Sequence, residues 1–137
     1  MGRILAIDYG NKRTGIAVTD PLQIIASPLD TVPTHQIIVF LKDYFEKEQV
    51  DTIVVGLPLD LSNRDTDVTQ SVRHFHKKLQ KEFGSKEIHL HDEKFTSKMA
   101  FDAMISGGMN KKERRKKENI DKVSAAIILQ SYLESKR

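Results

Sequence analysis

The chain contains no cysteine, which removes disulfide bonds, thiolate zinc sites and cysteine nucleophiles together. Any metal it binds must be held by oxygen or imidazole. It also lacks an apolar run near the roughly 20 residues that a membrane helix needs, and it opens on a strand-like segment in place of a basic, apolar leader. The expected location is the cytoplasm, with no membrane contact. Excess charge is scarce as well. The formal net charge is +3, and the run Lys111 to Lys117 (KKERRKK) carries six basic residues and one acidic. Removing those from totals of 22 and 19 leaves 16 basic against 18 acidic, so the positive excess is confined to one segment. Such a run is either a solvated loop or an electrostatic grip on phosphates.

What is present is an ordinary globular balance, 39% hydrophobic and 30% charged over 137 residues. That length fits one domain, 1–137, with a real core, and is too short for two lobes around a cleft.

The organising stretch is Arg3 to Asp20, RILAIDYGNKRTGIAVTD. Ile4 to Ile7 is the short apolar run of a strand covered on both faces, and Asp8 ends it. A carboxylate where a buried strand meets a glycine turn costs desolvation energy unless a cation, a donor or solvent meets it. Asp8 is therefore the first functional candidate, against the plainer reading of a turn aspartate. Gly10 can supply a positive φ and Asn11 tolerates one, so the chain is expected to turn back antiparallel through Thr14 to Thr19. Asp20 is expected to cap the following turn.

Ile24 to Leu29 reads as a third strand, with Pro28 placing it toward an edge. A helix follows over His35 to Glu48, with Thr34 as its N-cap. Thr52 to Leu57 (TIVVGL) is a β-branched strand, Asp60 to Asp67 a polar loop, and Val68 to Phe83 a second amphipathic helix stopped at Gly84. Glu87 to His91 alternates as a fifth strand and runs into Asp92-Glu93-Lys94-Phe95-Thr96-Ser97. Thr96 or Ser97 can cap a short helix through Ile105. Asp121 is expected to open a last helix with Val123, Ala126, Ile127 and Ile128 as its apolar stripe.

Strands four and five each follow a helix, which makes them parallel to strand one in a single mixed sheet, an α/β fold. Their carboxyl ends then share an edge, where open α/β sheets place ligands. Asp8, the loop from Leu57 to Asp60, and Asp92-Glu93 meet there, and Asp121 can join them. Asp92 and Glu93 are neighbours on an alternating strand, so only one of them can point inward. Such carboxylates repel one another, and a divalent cation offsets that. Hard oxygen ligands suit Mg²⁺ or Mn²⁺, and a pair of such ions can activate water and stabilise the leaving oxygen in phosphodiester hydrolysis.

The ordered set DYGNKRTGIAVTD, VVGLPLD, DEKFTS and IDKVSAAIILQSYL resembles the YqgF (RuvX) family of Holliday-junction resolvase-like proteins, also described as pre-16S rRNA nucleases. The resemblance spans Arg3 to about Leu133. It implies a ribonuclease H-like fold with strand order 3-2-1-4-5 flanked by helices. It also implies three catalytic, metal-binding acids, which by motif match are Asp8, Glu93 and Asp121. The family's Asp-Glu-Arg-x-Thr pattern has Lys94 in place of arginine, which keeps the charge and loses the bidentate fork. Its glycine-bearing loop after Gly-Leu-Pro is replaced by Asp60 to Asp67.

Lys12, Arg13 and Lys94 are placed to meet phosphates, with Lys111, Lys112, Arg114, Arg115, Lys116 and Lys117 as the wider basic grip. For Asp121 the plainer reading is a helix N-terminal carboxylate favoured by the dipole. His89 and His91, although they share a strand face with Glu93, are expected to be half-exposed strand residues. The expected activity is a metal-dependent endonuclease on structured RNA or branched DNA, acting as a monomer or a homodimer. A non-catalytic nucleic-acid-binding module is the rival, and a phosphotransferase would need a second domain.

Overall fold

The computed structural model describes residues 2–57, 67–92 and 117–136. Among them the chain builds strands β1 (Arg3–Asp8), β2 (Arg13–Thr19) and β3 (Ala26–Pro33), a single 3-10 turn (Thr34–Gln36), helix α1 (Ile37–Lys47), strand β4 (Val50–Leu57), helix α2 (Asp67–Glu82), strand β5 (Glu87–Asp92) and helix α3 (Lys117–Ser135). The five strands form one mixed sheet in the order β3-β2-β1-β4-β5. β1 is antiparallel to β2 and parallel to β4, and β5 is parallel to β4.

Strand alternation sorts the core into two layers. Leu5 and Ile7 of β1, with Ile53 and Val55 of β4, pack under α1 and α2. Ile4, Ala6, Ala17 and Val54 face the other way and pack under α3, against Ala125, Ile128, Leu129, Tyr132 and Leu133. The β1 and β4 members are at most 1% exposed, and burying each valine, leucine or isoleucine among them contributes about 1.5–3 kcal/mol. This alternation decides which way every side chain at the sheet edge points.

Several expectations change in detail. The third strand begins at Ala26, two residues after Ile24, and runs on to Pro33. Pro28 lies in this edge strand at the irregularity opposite Ile16 and Ala17, where a missing amide donor is tolerated. Gly10 and Asn11 do not take a left-handed φ; among the described residues the left-handed one outside glycine is Gln23, at φ 60. A side chain at Gly10 would instead collide with the Arg13 carbonyl oxygen. Thr34 does not cap α1, which starts three residues later at Ile37 without a side-chain cap. Asp121 does not open α3, which begins at Lys117 and places Asp121 in its second turn. The buried face of α3 is Ser124, Ala125, Ile128, Leu129, Tyr132 and Leu133, whereas Val123, Ala126 and Ile127 are half-buried. The helix is apolar on nearly every side over Val123 to Leu129, so its sequence does not select a face. The short helix expected after Thr96 and Ser97 and the loop from Asp60 to Thr66 lie outside the described residues. Among the described residues, no helix is long and apolar enough to cross a membrane.

Candidate active site

β1 carries Asp8 at its carboxyl end, half-buried. Ile4 and Ala6 face α3, so alternation puts Asp8 on the α3 side of the sheet. Across the antiparallel ladder Asp8 is paired with Gly15 of β2. Gly15 is where α3 comes down onto the sheet. A Cβ built there would run into the main-chain carbonyl of Asp121, so a strand residue without a side chain is what allows the helix to approach. The Asp121 side chain is then met by β2, with Arg13 Nε donating to Asp121 Oδ2 at 3.1 Å. Residues 8, 13, 15 and 121 thereby form one continuous neighbourhood, closed over a sequence separation of 108 between Arg13 and Asp121.

The loop between Asp8 and Arg13 is tied down from an unexpected direction. Thr34 Oγ1 donates to the Gly10 carbonyl at 2.6 Å and lies 2.9 Å from Thr14 Oγ1. The Thr34 amide donates to the Lys12 carbonyl at 3.0 Å. The threonine expected to cap a helix therefore clamps the hairpin that carries Lys12, which is exposed. No sequence pattern short of the fold itself points to that role.

β5 ends beside β4, with Asp92 registered on Leu57. Ile88 and Leu90 pack into the α1 and α2 layer, whereas His89 and His91 turn their rings toward Tyr132 of α3. By the same alternation Asp92 falls on the side opposite Asp8, and it is exposed. His91 lies 2.9 Å from Ser131 Oγ. Burial holds its imidazole below the usual 6.5, opposed by the nearby Asp92 charge. His89 is 3.6 Å from Glu87 of its own strand.

Glu93, Lys94, Lys111, Lys112, Arg114, Arg115 and Lys116 lie outside the described residues, and Lys117 is described only as the first residue of α3. Among the described residues no three metal-capable side chains gather in one place. Asp8 and Asp121 are half-buried carboxylates with oxygen donors and no thiol nearby, a donor set that fits a hard divalent cation. One further residue escaped the sequence reading. Ser124, one turn after Asp121, is 1% exposed, and its hydroxyl has no hydrogen-bond partner among the described residues. Its (i, i+3) spacing from Asp121 was the available signal.

A family profile described as "RuvX: Holliday junction resolvase" matches residues 2–135. A protein of Amoebophilus asiaticus is 52% identical over 135 residues, 98% of this chain and 96% of the relative. One of Phocaeicola vulgatus is 51% identical over 137 residues, 100% of this chain and 99% of the relative. Both bear the name "Putative pre-16S rRNA nuclease". Among solved structures, T. thermophilus RuvC in complex with Holliday junction substrate superposes with a TM-score of 0.59 at 15% identity, covering 98% of this chain and 95% of that one. That likeness is one of fold, a RuvC-like ribonuclease H architecture.

Proposed function

Because this chain belongs to the RuvX family, we propose that it is a metal-dependent endonuclease that hydrolyses phosphodiester bonds in structured nucleic acid. The whole chain, 1–137, acts as one nuclease domain in the cytoplasm. Its task is trimming the 5′ end of pre-16S rRNA during ribosome biogenesis, in line with the names its curated relatives bear. The observation that carries this reading is the meeting of Asp8 and Asp121 through Gly15 and Arg13 on one side of the sheet edge.

Asp8, Glu93 and Asp121 would hold Mg²⁺ or Mn²⁺, as two ions. When bound, such ions supply an activated water and charge stabilisation for the leaving oxygen. The rest is done by the chain itself. Strand alternation favours Glu93 over Asp92 as the third ligand, since Asp92 belongs to the opposite side. Arg13 orients the Asp121 carboxylate. Thr34 holds the loop that offers Lys12 to a phosphate. Lys94 and the basic run Lys111, Lys112, Arg114, Arg115, Lys116 and Lys117 neutralise further phosphates.

A second reading, resolution of four-way DNA junctions, is favoured by the description of the matching family profile, and it would call for a symmetric dimer. One experiment separates them. A ribosomal RNA precursor and a four-way DNA junction are each incubated with Mn²⁺ or a chelator, using the parent protein and Asp8→Asn. The expected result is cleavage of the RNA by the parent alone, and only with metal. Preferential junction cutting transfers the assignment to the second reading, and metal-independent RNA binding without any cleavage refutes catalysis.

A further inference from the structure

A cavity of about 680 Å³ opens on the face of the sheet opposite Asp8, at the same edge. Its volume is that of a small-molecule site. One wall is aromatic: Tyr9, the residue after Asp8, stacks on Phe75 of α2 with ring centroids 4.4 Å apart and planes 20° from parallel. Phe75 is 5% exposed and belongs to the core, so Tyr9 is backed by a ring that cannot turn away. The rim is basic or imidazole in character. His74 and Lys78 stand one turn apart on α2 and are exposed, and His35 faces them from the 3-10 turn. No lining residue is acidic.

An aromatic wall beside one lysine and two imidazoles is the chemistry that receives a nucleobase and its phosphate. Unpaired bases stack on aromatic side chains whatever their sequence, and neighbouring cations meet the backbone. Position adds to this. Asp8 and Tyr9 are consecutive, so alternation points one to each side of the sheet edge, and a strand engaged at Asp8 reaches Tyr9 by crossing that edge.

We propose that this cavity takes one unpaired nucleotide of the substrate strand, its base extending the Tyr9–Phe75 stack and its phosphate meeting His74 and Lys78. The proposal rests on the nuclease reading above and names where the strand goes beyond the cleaved bond.

The test uses the full chain carrying Asp8→Asn, so that nothing is cut, and a short single-stranded RNA containing a fluorescent purine analogue whose emission stacking quenches. Quenching on binding is expected. Tyr9→Leu abolishes it and weakens binding about tenfold or more, while Tyr9→Phe retains both. Lys78→Glu weakens binding and flattens its salt dependence by about one phosphate contact. Melting curves verify that the variants fold, and Lys78, being exposed, serves if Tyr9→Leu does not. No binding, or unchanged affinity in the folded variants, overturns the proposal. The 5′-monophosphate of the same fluorescent purine analogue is run in parallel; binding and quenching of that free nucleotide as strong as of the RNA overturns the strand assignment. Cleavage by the Asp8 parent is measured separately. Cutting with an unchanged KM in Tyr9→Leu and Lys78→Glu sinks the cavity and spares the nuclease. Absent cutting with intact Tyr9-dependent binding does the reverse.

Discussion

At the scale of single residues, Asp8 and Gly15 play opposite parts in one contact. Asp8→Asn keeps the shape and removes the charge, so cleavage is expected to vanish with the fold intact. Millimolar Mn²⁺ at about 100 times its Kd should stabilise the parent by about 2.7 kcal/mol, read as a rise in Tm, and should leave Asp8→Asn unmoved. An equal rise in both would place the metal elsewhere. Gly15→Ala keeps every charge and removes the shape. Its Cβ would collide with the Asp121 main chain, and overpacking of this kind costs about 1–3 kcal/mol. A lowered midpoint in urea, together with lost cleavage, is the expected outcome; a variant of parental stability would mean that α3 can retreat freely. The place of Asp8 at the end of β1 was legible because a charge following four apolar residues is anomalous by itself. Gly15 was not, since a glycine in a strand shows its reason only when the helix above it is in place.

At the scale of elements, connections carry more of the design than their sequences disclose. Thr34 had every local mark of an N-cap, yet its hydroxyl goes to Gly10 and Thr14, because a 3-10 turn inserts between β3 and α1. Thr34→Val should cost about 0.5–1.5 kcal/mol for each lost bond and raise KM for RNA by loosening the loop at Lys12; unchanged KM would mean that the loop holds itself. Asp20 met expectation. Its carboxylate accepts from the amides of Leu22, Ile24 and Ile25 at 2.8–3.1 Å. These bonds, the one from Ile25 first, hold its pKa below the ordinary 3.8. A folded pKa below the unfolded one stabilises above 3.8, and the benefit disappears as pH falls through the lowered folded value. The stability gap between parent and Asp20→Ala should therefore close on acidification below about 3.8, as measured by urea melts across pH. Strand direction was readable because helices between strands force parallel pairing and tight turns force antiparallel pairing, whereas the order 3-2-1-4-5 was legible only through the family resemblance. The buried face of α3 was not, because that helix is apolar almost all round.

At the scale of the whole molecule, charge is segregated along the sequence, with the basic run Lys111 to Lys117 ending a few residues before the carboxylate at Asp121. Replacing its six cations by glutamine should weaken RNA binding uniformly across sequences and reduce the slope of log Kd against log salt by up to about 4, at roughly 0.7 per phosphate on a single strand. A slope that does not change would make the run a solvated loop. The closure between Arg13 and Asp121 across 108 residues also has a consequence in time. Synthesis at about 5–20 residues per second puts roughly 5–20 s between the making of these two partners. Until α3 emerges, Ile4, Ala6, Ala17 and Val54 have no helix over them and Asp8 has no partner carboxylate from Asp121. On the site proposed above, a nascent chain that has just been threaded through a ribosome is expected to stay inert toward ribosomal RNA until its last helix docks, so that activity begins as a late event in the chain's own birth.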